Sequence, residues 1–240
     1  MYSRKFCLFQ DHIQEVLNKW DQIDDEIWAK IICMERNRRV AKAYARASVI
    51  TINGSDVGFD GYRIGLKGLE NEYRESKTEE VKKLIGQGVK LKMDEMGNIL
   101  IKRVGRSNVF VKGCSLLTKE STSIGSEIMK NNGRLEQDKA MKLFDMKKFQ
   151  NNIEKEIGNS YPDRRKLENQ CISAIAFVKD ANDILDLPVW IMVINVVAID
   201  MLKSKMPLSK VFLFLLLISI SKRIINLTTS YHNHKSLKKL

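Results

Sequence analysis

Residues 89–101, VKLKMDEMGNILI, decide the fold class of this chain. Apolar and charged side chains alternate without a break from Val89 to Met93, which is typical of a strand with one buried and one solvated face. Turn-forming residues follow, and Ile99 to Ile101 can return as the partner strand. The stretch therefore predicts a β-hairpin within an antiparallel sheet.

Similar short runs lie on both sides of this hairpin. Ile31–Met34 and Val49–Ile52 are typical of strands, and the segments 171–178 and 189–196 are apolar enough to be fully buried strands. One helix interrupts the N-terminal strands, with Thr78 expected as its N-cap and Gly86 as its left-handed closing residue. The pattern predicts a mainly β protein built on antiparallel sheets.

Helical periodicity is limited to a few segments. Apolar residues at spacings of three and four predict a helix over about 5–21, which either packs on the body of the same chain or binds a partner. Asp145 is expected to cap a helix that ends at Gly158, and 198–206 is expected to form the last helix. Residues 112–142 are polar and rich in Gly, Ser and Asn, which indicates an irregular insertion.

The charge distribution suggests three parts: an amphipathic helix over 1–25, a domain over 26–206 and a basic tail over 207–240. The chain has 240 residues and a net charge of +12, and the tail alone carries six lysine or arginine residues and no acid. The tail's apolar row, 211–220, is about half as long as a membrane span. A peripheral membrane contact or an extension foreign to the fold is therefore expected. Because the N-terminal apolar stretch is too short for a signal peptide, an intracellular protein is expected, cytoplasmic, nuclear or both, with the cell cortex as a further candidate location.

Catalytic chemistry has few candidate residues. The three histidines are His12, His232 and His234, so the segment 26–206 lacks an imidazole for a nucleophile pair or a metal site unless a terminus folds back. The four cysteines are widely spaced, which favours reduced thiols over a zinc site or a disulfide framework. We expect no catalytic residue, no cofactor and no metal.

The densest basic run extends from Arg36 to Arg46. Nucleic acid is one partner that such a run could bind, but the run has no platform of several aromatic rings and no recognition helix. A solvated or protein-facing basic strip is the favoured interpretation. We expect no direct sequence-specific DNA binding.

Seven blocks in order over about 26–206 resemble the Mad homology 2 (MH2) domain of Smad signalling proteins. The segment 31–40, IICMERNRRV, is similar to the family's I-A-Y-Y-E-L-N-Q-R-V, and 82–91, KKLIGQGVKL, is similar to R-R-H-I-G-R-G-V-R-L. The other blocks are 63–66, 108–111, 142–149, 171–179 and 188–191, with 200–206 in the place of the closing helix. The resemblance implies a two-sheet antiparallel β-sandwich, related to forkhead-associated (FHA) folds, with a helical bundle at one end.

The resemblance also implies function. Smad-type domains are not enzymes; they bind other proteins, and some trimerise when a phosphorylated S-x-S tail enters a basic pocket on a neighbour. Basic side chains suit this work because a phosphoserine carries about two negative charges. The candidate partner or phosphate contacts are Lys82, Lys83, Lys90 and Lys179.

This sequence departs from the family in the loop after Lys179. The loop is about six residues shorter and contains Asp180, Asp183 and Asp186, which would repel a phosphate, and the sequence ends without S-x-S. These departures argue against phosphoserine-driven trimerisation, although another homo-oligomer stays open. Only about 25 residues precede the match in place of a DNA-binding half, as in the arthropod expansion and rebuff group of Smad-like proteins, which is associated with chitin deposition and epithelial tube size.

Three functions therefore stand as hypotheses. The first is a non-enzymatic scaffold that binds Smad-like or chitin-synthase-associated proteins. The second is an MH2 partner in Smad-type regulation of transcription. The third is a membrane-surface or nucleic-acid binder that acts through the basic tail.

Overall fold

The computed structural model describes residues 2–113 and 122–207, with side chains from Leu8 onward. These residues form two five-stranded sheets and six α-helices, joined by loops and two short 3₁₀ helices. The strands are β1 Ala29–Glu35, β2 Arg38–Ala45, β3 Val49–Asn53, β4 Arg63–Gly65, β5 Val89–Met93, β6 Ile99–Arg103, β7 Val109–Gly113, β8 Ala140–Phe144, β9 Ile172–Phe177 and β10 Trp190–Asn195. The helices are α1 Tyr2–Asn18, α2 Ser76–Leu84, α3 Ser126–Lys130, α4 Met146–Ile157, α5 Arg164–Gln170 and α6 Val196–Lys205.

The first sheet has the strand order β2-β1-β10-β9-β7, and the second has the order β4-β3-β5-β6-β8. All pairings are antiparallel except the short parallel pairing of β3 with β4. The Ser173 hydroxyl of β9 donates to the Leu143 carbonyl of β8 at 3.5 Å, which places these strand faces opposite each other. The predicted mainly β sandwich is confirmed.

The alternation of inward-facing and outward-facing residues along the strands decides which side chains enter the core. Residues that share the inward face, such as Ile31 and Ile175 in the first sheet and Leu91 and Ile101 in the second, are completely buried. The hairpin that decided the fold class is present, with Leu91 opposite Ile101. Its Asp94 carboxylate accepts hydrogen bonds from the backbone of Met96 and Asn98, which closes the turn.

Helix α1 lies over the outer face of the first sheet, so the predicted N-terminal helix packs on its own chain. Phe9, Ile13 and Val16 are buried there. The Glu15 carboxylate contacts the Lys30 ammonium of β1 at 2.8 Å, and Gln10 donates to Asn169 of α5 at 3.0 Å. The helix is thus held by apolar contacts and by charge.

The predictions for helices α4 and α2 had different outcomes. Asp145 caps α4 as expected, accepting from the Lys148 backbone at 3.2 Å. The expectation for α2 is wrong at its start: the N-cap residue is Glu75, and Thr78 is buried inside the helix. The Glu75 side chain makes no capping hydrogen bond. Its carboxylate pairs instead with the Arg36 guanidinium at 2.8 Å, a contact between distant segments that local capping rules do not include. At the other end, Gly86 has the expected positive φ of 59°.

The expected irregular insertion at 112–142 is more ordered than predicted. Strand β7 continues to Gly113, and α3 and β8 occupy part of the remainder. Helices α4 and α5 pack against each other, and Gln170 accepts hydrogen bonds from Ser123 and Asn152 between them. These helices form the bundle at one end.

Residues Met1–Leu202 form one compact unit and Lys203–Leu240 a second. Of the second unit, only residues up to Pro207 are described, so the predicted tail contact with a membrane lies outside the described residues. No helix in the described ranges is both long and apolar enough to cross a membrane.

Candidate protein-interaction surfaces

A buried ion-pair network ties the end of β1 to α2. The Lys82 ammonium donates to the Glu35 carboxylate at 2.7 Å, and these side chains are 1% and 5% exposed. The Arg74 guanidinium and the Asn71 amide donate to the same carboxylate at 3.1 Å and 2.6 Å. Four side chains from three segments therefore meet at one buried acid.

Burial and partners act in opposite directions on this acid. Burial alone would raise the pKa of Glu35, but the hydrogen bonds from Arg74, Lys82 and Asn71 outweigh it and hold the pKa below its ordinary value. Removing one partner of a buried ion pair costs about 3–5 kcal/mol, because the other charge stays uncompensated. The expectation that Lys82 faces a partner is therefore corrected: its ammonium lies inside the fold, where the helical spacing of α2 directs it.

Hydrogen bonds join three segments at this end of the sandwich. Gly54 donates to the Gly86 carbonyl at 2.8 Å, and Gly105 donates to the Gly88 carbonyl at 3.0 Å. The Ser107 hydroxyl donates to the Leu84 carbonyl at the end of α2. The turn after α2, the end of β3 and the loop before β7 are thus connected at the backbone level.

This chain of contacts brings two of the expected contact residues to one end. Lys83 lies in the last turn of α2 and is exposed, and Lys179 is exposed in the loop after β9. The Val178 backbone donates to the Asn108 carbonyl at 2.8 Å, which connects that loop to the segment bearing exposed Arg106. We call Lys83, Arg106 and Lys179 the basic rim.

The backbone beside Lys179 is strained. Val178 has a φ of 67°, and the Lys179 N–H donates to the Phe177 carbonyl at 2.7 Å, the bond of a tight γ-turn. A left-handed conformation is rare for a β-branched residue, and such strain persists only where surrounding contacts impose it. The loop therefore leaves β9 in a fixed direction.

The aspartates of this loop are less available than the sequence suggested. The Asp180 carboxylate pairs with the Lys112 ammonium of β7 at 2.6 Å. Asp183 caps a 3₁₀ turn, accepting from the Leu185 backbone at 2.9 Å. Asp180 and Asp183 therefore repel an anion at Lys179 less strongly than two unpaired carboxylates would.

Lys90 lies on a different surface. It points outward from β5 and is exposed, while its neighbours Val89 and Leu91 are buried. The residue directly opposite Lys90 on the neighbouring strand β6 is Lys102, which lies on the same outer face. The basic strip predicted at 36–46 is exposed but largely paired with acids of the same chain: Arg39 and Lys42 pair with Glu15, and Arg46 pairs with Asp24.

Arg106 was missed at the sequence level. It lies in a loop without periodicity, and a bond between distant segments, from the Val178 N–H to the Asn108 carbonyl, connects its loop to that of Lys179. A weak signal was available, because the block 108–111 that follows it resembles a family strand.

The Cys33 and Cys171 thiols and the His12 imidazole are buried within the fold. Burial raises the pKa of the Cys33 thiol to about 12 and raises that of Cys171 well above its ordinary value. His12 does fold back onto the body, but burial and the neighbouring Lys30 and Arg39 lower its pKa. No group of three or more potential metal ligands is found within the described ranges.

The sequence profile of the MH2 domain matches residues 26–196. The chain belongs to the MH2 domain family. The matched range contains all ten strands, whereas α1 lies before it and most of α6 after it. The MH2 domain is a protein-interaction domain, so the loops and faces of the sandwich are the surfaces to consider. A comparison of the sequence with curated proteins found no match.

Several solved structures are similar to this chain at low sequence identity. A chain of the crystal structure of STAT2 in complex with IRF9 is 11% identical, with 76% of this MH2 chain and 99% of that chain covered at a TM-score of 0.50. The crystal structure of the interferon regulatory factor 9 IAD domain is 11% identical, with coverages of 76% and 90% and a TM-score of 0.48. The FHA1 domain of yeast Rad53 is 10% identical, with coverages of 78% and 84% and a TM-score of 0.37.

Proposed function

We propose that this MH2 protein is a non-enzymatic scaffold whose basic rim binds a carboxylate-rich segment of another protein. The observation that carries the proposal is the strained turn at Val178, which fixes the direction in which Lys179 leaves the sandwich. Strain of this kind costs about 1–3 kcal/mol and concentrates where a loop must present a side chain.

Charge supports the same surface. No acidic side chain among the described residues pairs with Lys83, Arg106 or Lys179, whereas the neighbouring acids Asp180 and Glu35 are already paired. A partner's carboxylates would therefore meet cations that are not neutralised by the fold. The buried network at Glu35 makes the support beneath α2 rigid, which limits the ordering cost of binding.

Charge reversal tests this proposal. Lys83→Glu combined with Lys179→Glu should abolish capture of the partners that the unaltered chain enriches from epithelial cells by proximity labelling. The matched control is Lys77→Glu combined with Lys147→Glu, two exposed lysines away from the rim with the same change in net charge. Equal enrichment by both double variants would refute the rim as the contact surface.

The cellular role is a finer proposal. The resemblance to the expansion and rebuff group of Smad-like proteins supports a role in chitin deposition and epithelial tube morphogenesis, with chitin-synthase-associated or Smad-like partners. The alternative is an MH2 partner in Smad-type transcription, and a second alternative is membrane or nucleic-acid binding through 207–240.

One labelling experiment separates these roles. Labelled proteins near the cell cortex, including a membrane synthase, favour the first role, and labelled Smads in the nucleus favour the second. Loss of labelling after deletion of 207–240 favours the third. Multi-angle light scattering of the unaltered chain measures whether it forms a homo-oligomer.

A further inference from the structure

The outer face of the second sheet carries only one sign of charge. Arg63, Lys90, Lys92, Lys102 and Lys142 project from it, and no acid of these strands shares the face. We call these five residues the basic sheet face. They lie on β4, β5, β6 and β8 of the five-stranded sheet, and Val49, Thr51, Leu100 and Ala140 fill the positions between the charges.

The cations on this face are arranged at a cost to the fold. Lys90 is directly opposite Lys102 in the antiparallel pair, and like charges in such positions destabilise a sheet. Asp138 at 3.5 Å and Asp145 at 3.2 Å, both outside the strands, approach Lys102 and Lys142. Within the described residues no carboxylate pairs with Lys90 or Lys92, at the centre of the face.

The first sheet shows how this protein neutralises an equivalent face. Its outer face bears Lys30, Arg39 and Lys42, and all three ion-pair with one carboxylate, Glu15 of α1, at 2.8–3.1 Å. The apolar side of α1 is buried on the same face. An amphipathic helix thus satisfies both the charges and the apolar positions between them.

We propose that the basic sheet face binds an acidic amphipathic helix of a partner protein, as the first sheet binds α1. This chain's own C-terminal region does not supply that helix, because residues 207–240 contain no acid. Single-stranded nucleic acid is disfavoured because the outward residues of these strands include no aromatic side chain for base stacking. The half-buried Leu100 and the exposed Val49 instead match an apolar stripe.

The dimensions fit such a helix. Adjacent strands lie about 4.8 Å apart, so five strands span about 19 Å. A helix rises about 1.5 Å per residue, and about 13 residues therefore cross the face. Three or four turns present a stripe of apolar residues between two rows of acids.

The test uses the full chain and a synthetic 18-residue fluorescent peptide with leucines on one helical face and glutamates on both sides. A second peptide has the same composition, with leucine spacings that do not share a face. Binding is measured by fluorescence anisotropy, with duplex DNA and phosphatidylserine vesicles as competitors. We expect the amphipathic peptide to bind about tenfold more tightly than the control, since apolar burial adds to charge.

Variants locate the site. Lys90→Glu combined with Lys102→Glu should weaken binding of the amphipathic peptide about tenfold, as expected for two reversed exposed charges. Lys77→Glu combined with Lys147→Glu, and separately Lys83→Glu combined with Lys179→Glu, should leave it unchanged, so failure here is distinct from failure at the basic rim. Carbodiimide crosslinking of the unaltered chain should link peptide glutamates to Lys90, Lys92 or Lys102, which keeps the test valid if a variant does not fold.

Several results would overturn the proposal. Equal binding of both peptides would show attraction to any polyanion. Preferential binding of DNA or vesicles would assign the face to those ligands. Crosslinks confined to other lysines, or the absence of peptide binding, would show that the face is not a helix site.

Discussion

Replacing Glu15 by glutamine removes the carboxylate that fastens α1 to the first sheet. Burial alone would raise the pKa of Glu15, but hydrogen bonds from Lys30 and Lys42 lower it from 4.5 to about 2. A difference of this size corresponds to about 3 kcal/mol in favour of the ionised folded form. The Glu15 side chain is 22% exposed, so solvent screening reduces the expected loss of unfolding free energy to about 2 kcal/mol.

The sign of the pH dependence follows from the direction of that pKa. Because the folded pKa lies below 4.5, the stabilisation is fully present above pH 4.5 and is lost as the pH falls through about 2. Glu15→Gln should therefore be less stable than the unaltered chain at pH 7, and the difference should shrink in acid. Urea denaturation followed by fluorescence of the buried Trp28 and Trp190 measures both.

Two controls make the reasoning refutable. Asp11→Asn makes the same charge change at an exposed position of α1 and should cost less than about 0.5 kcal/mol. Adding Lys30→Met to Glu15→Gln replaces the stranded buried ammonium by an apolar side chain and should recover most of the loss. If Glu15→Gln costs no more than Asp11→Asn, or if Lys30→Met makes the single variant worse, the ion cluster does not hold α1.

Three further predictions concern the core and the loop end. Glu35→Gln should lower the unfolding free energy, measured by urea denaturation, by about 3–5 kcal/mol because the buried Lys82 loses its carboxylate. Adding Lys82→Met should restore much of this loss. Because the pKa of Glu35 is lowered in the folded chain, the difference in stability between Glu35→Gln and the unaltered chain should shrink below pH 4.5. Cys33 and Cys171 should resist iodoacetamide at pH 8 in the folded chain and react in urea, as measured by peptide mass spectrometry, since burial raises both thiol pKa values; rapid native labelling would contradict their burial. Gly65→Ala should destabilise strongly because its Cβ would overlap the Val57 carbonyl, whereas Gly58→Ala, with open space around it, should stay within about 1 kcal/mol in thermal melts.

Much of the fold was predictable because strand alternation is a local property. The hairpin at 89–101 and the buried strands β9 and β10 could be recognised without knowledge of their neighbours. Helix α5 and strand β2 were not recognised, because α5 has only seven residues and the charges of β2 resemble a solvated strip. Their structure depends on packing against the first sheet and α1, which a local pattern does not record.

The candidate site was predictable only in part. Lys83, Lys90 and Lys179 are exposed as expected, but the structure divides them between the basic rim and the basic sheet face. Lys82 and Lys83 are adjacent in sequence, yet successive residues of a helix point about 100° apart, so one ammonium is buried and the other faces solvent. Counting charges along the sequence does not distinguish the buried Lys82 from the exposed Lys83.

The sequence by itself determined the sandwich and the membership of the MH2 family, because the period of apolar residues and the turn chemistry act within a few residues. The tertiary structure alone decided which cations are neutralised: Lys30 and Lys82 meet carboxylates from distant segments, whereas Lys90 and Lys179 do not. Electrostatic energy depends on distances in space and on burial, and both arise only when separated segments come together.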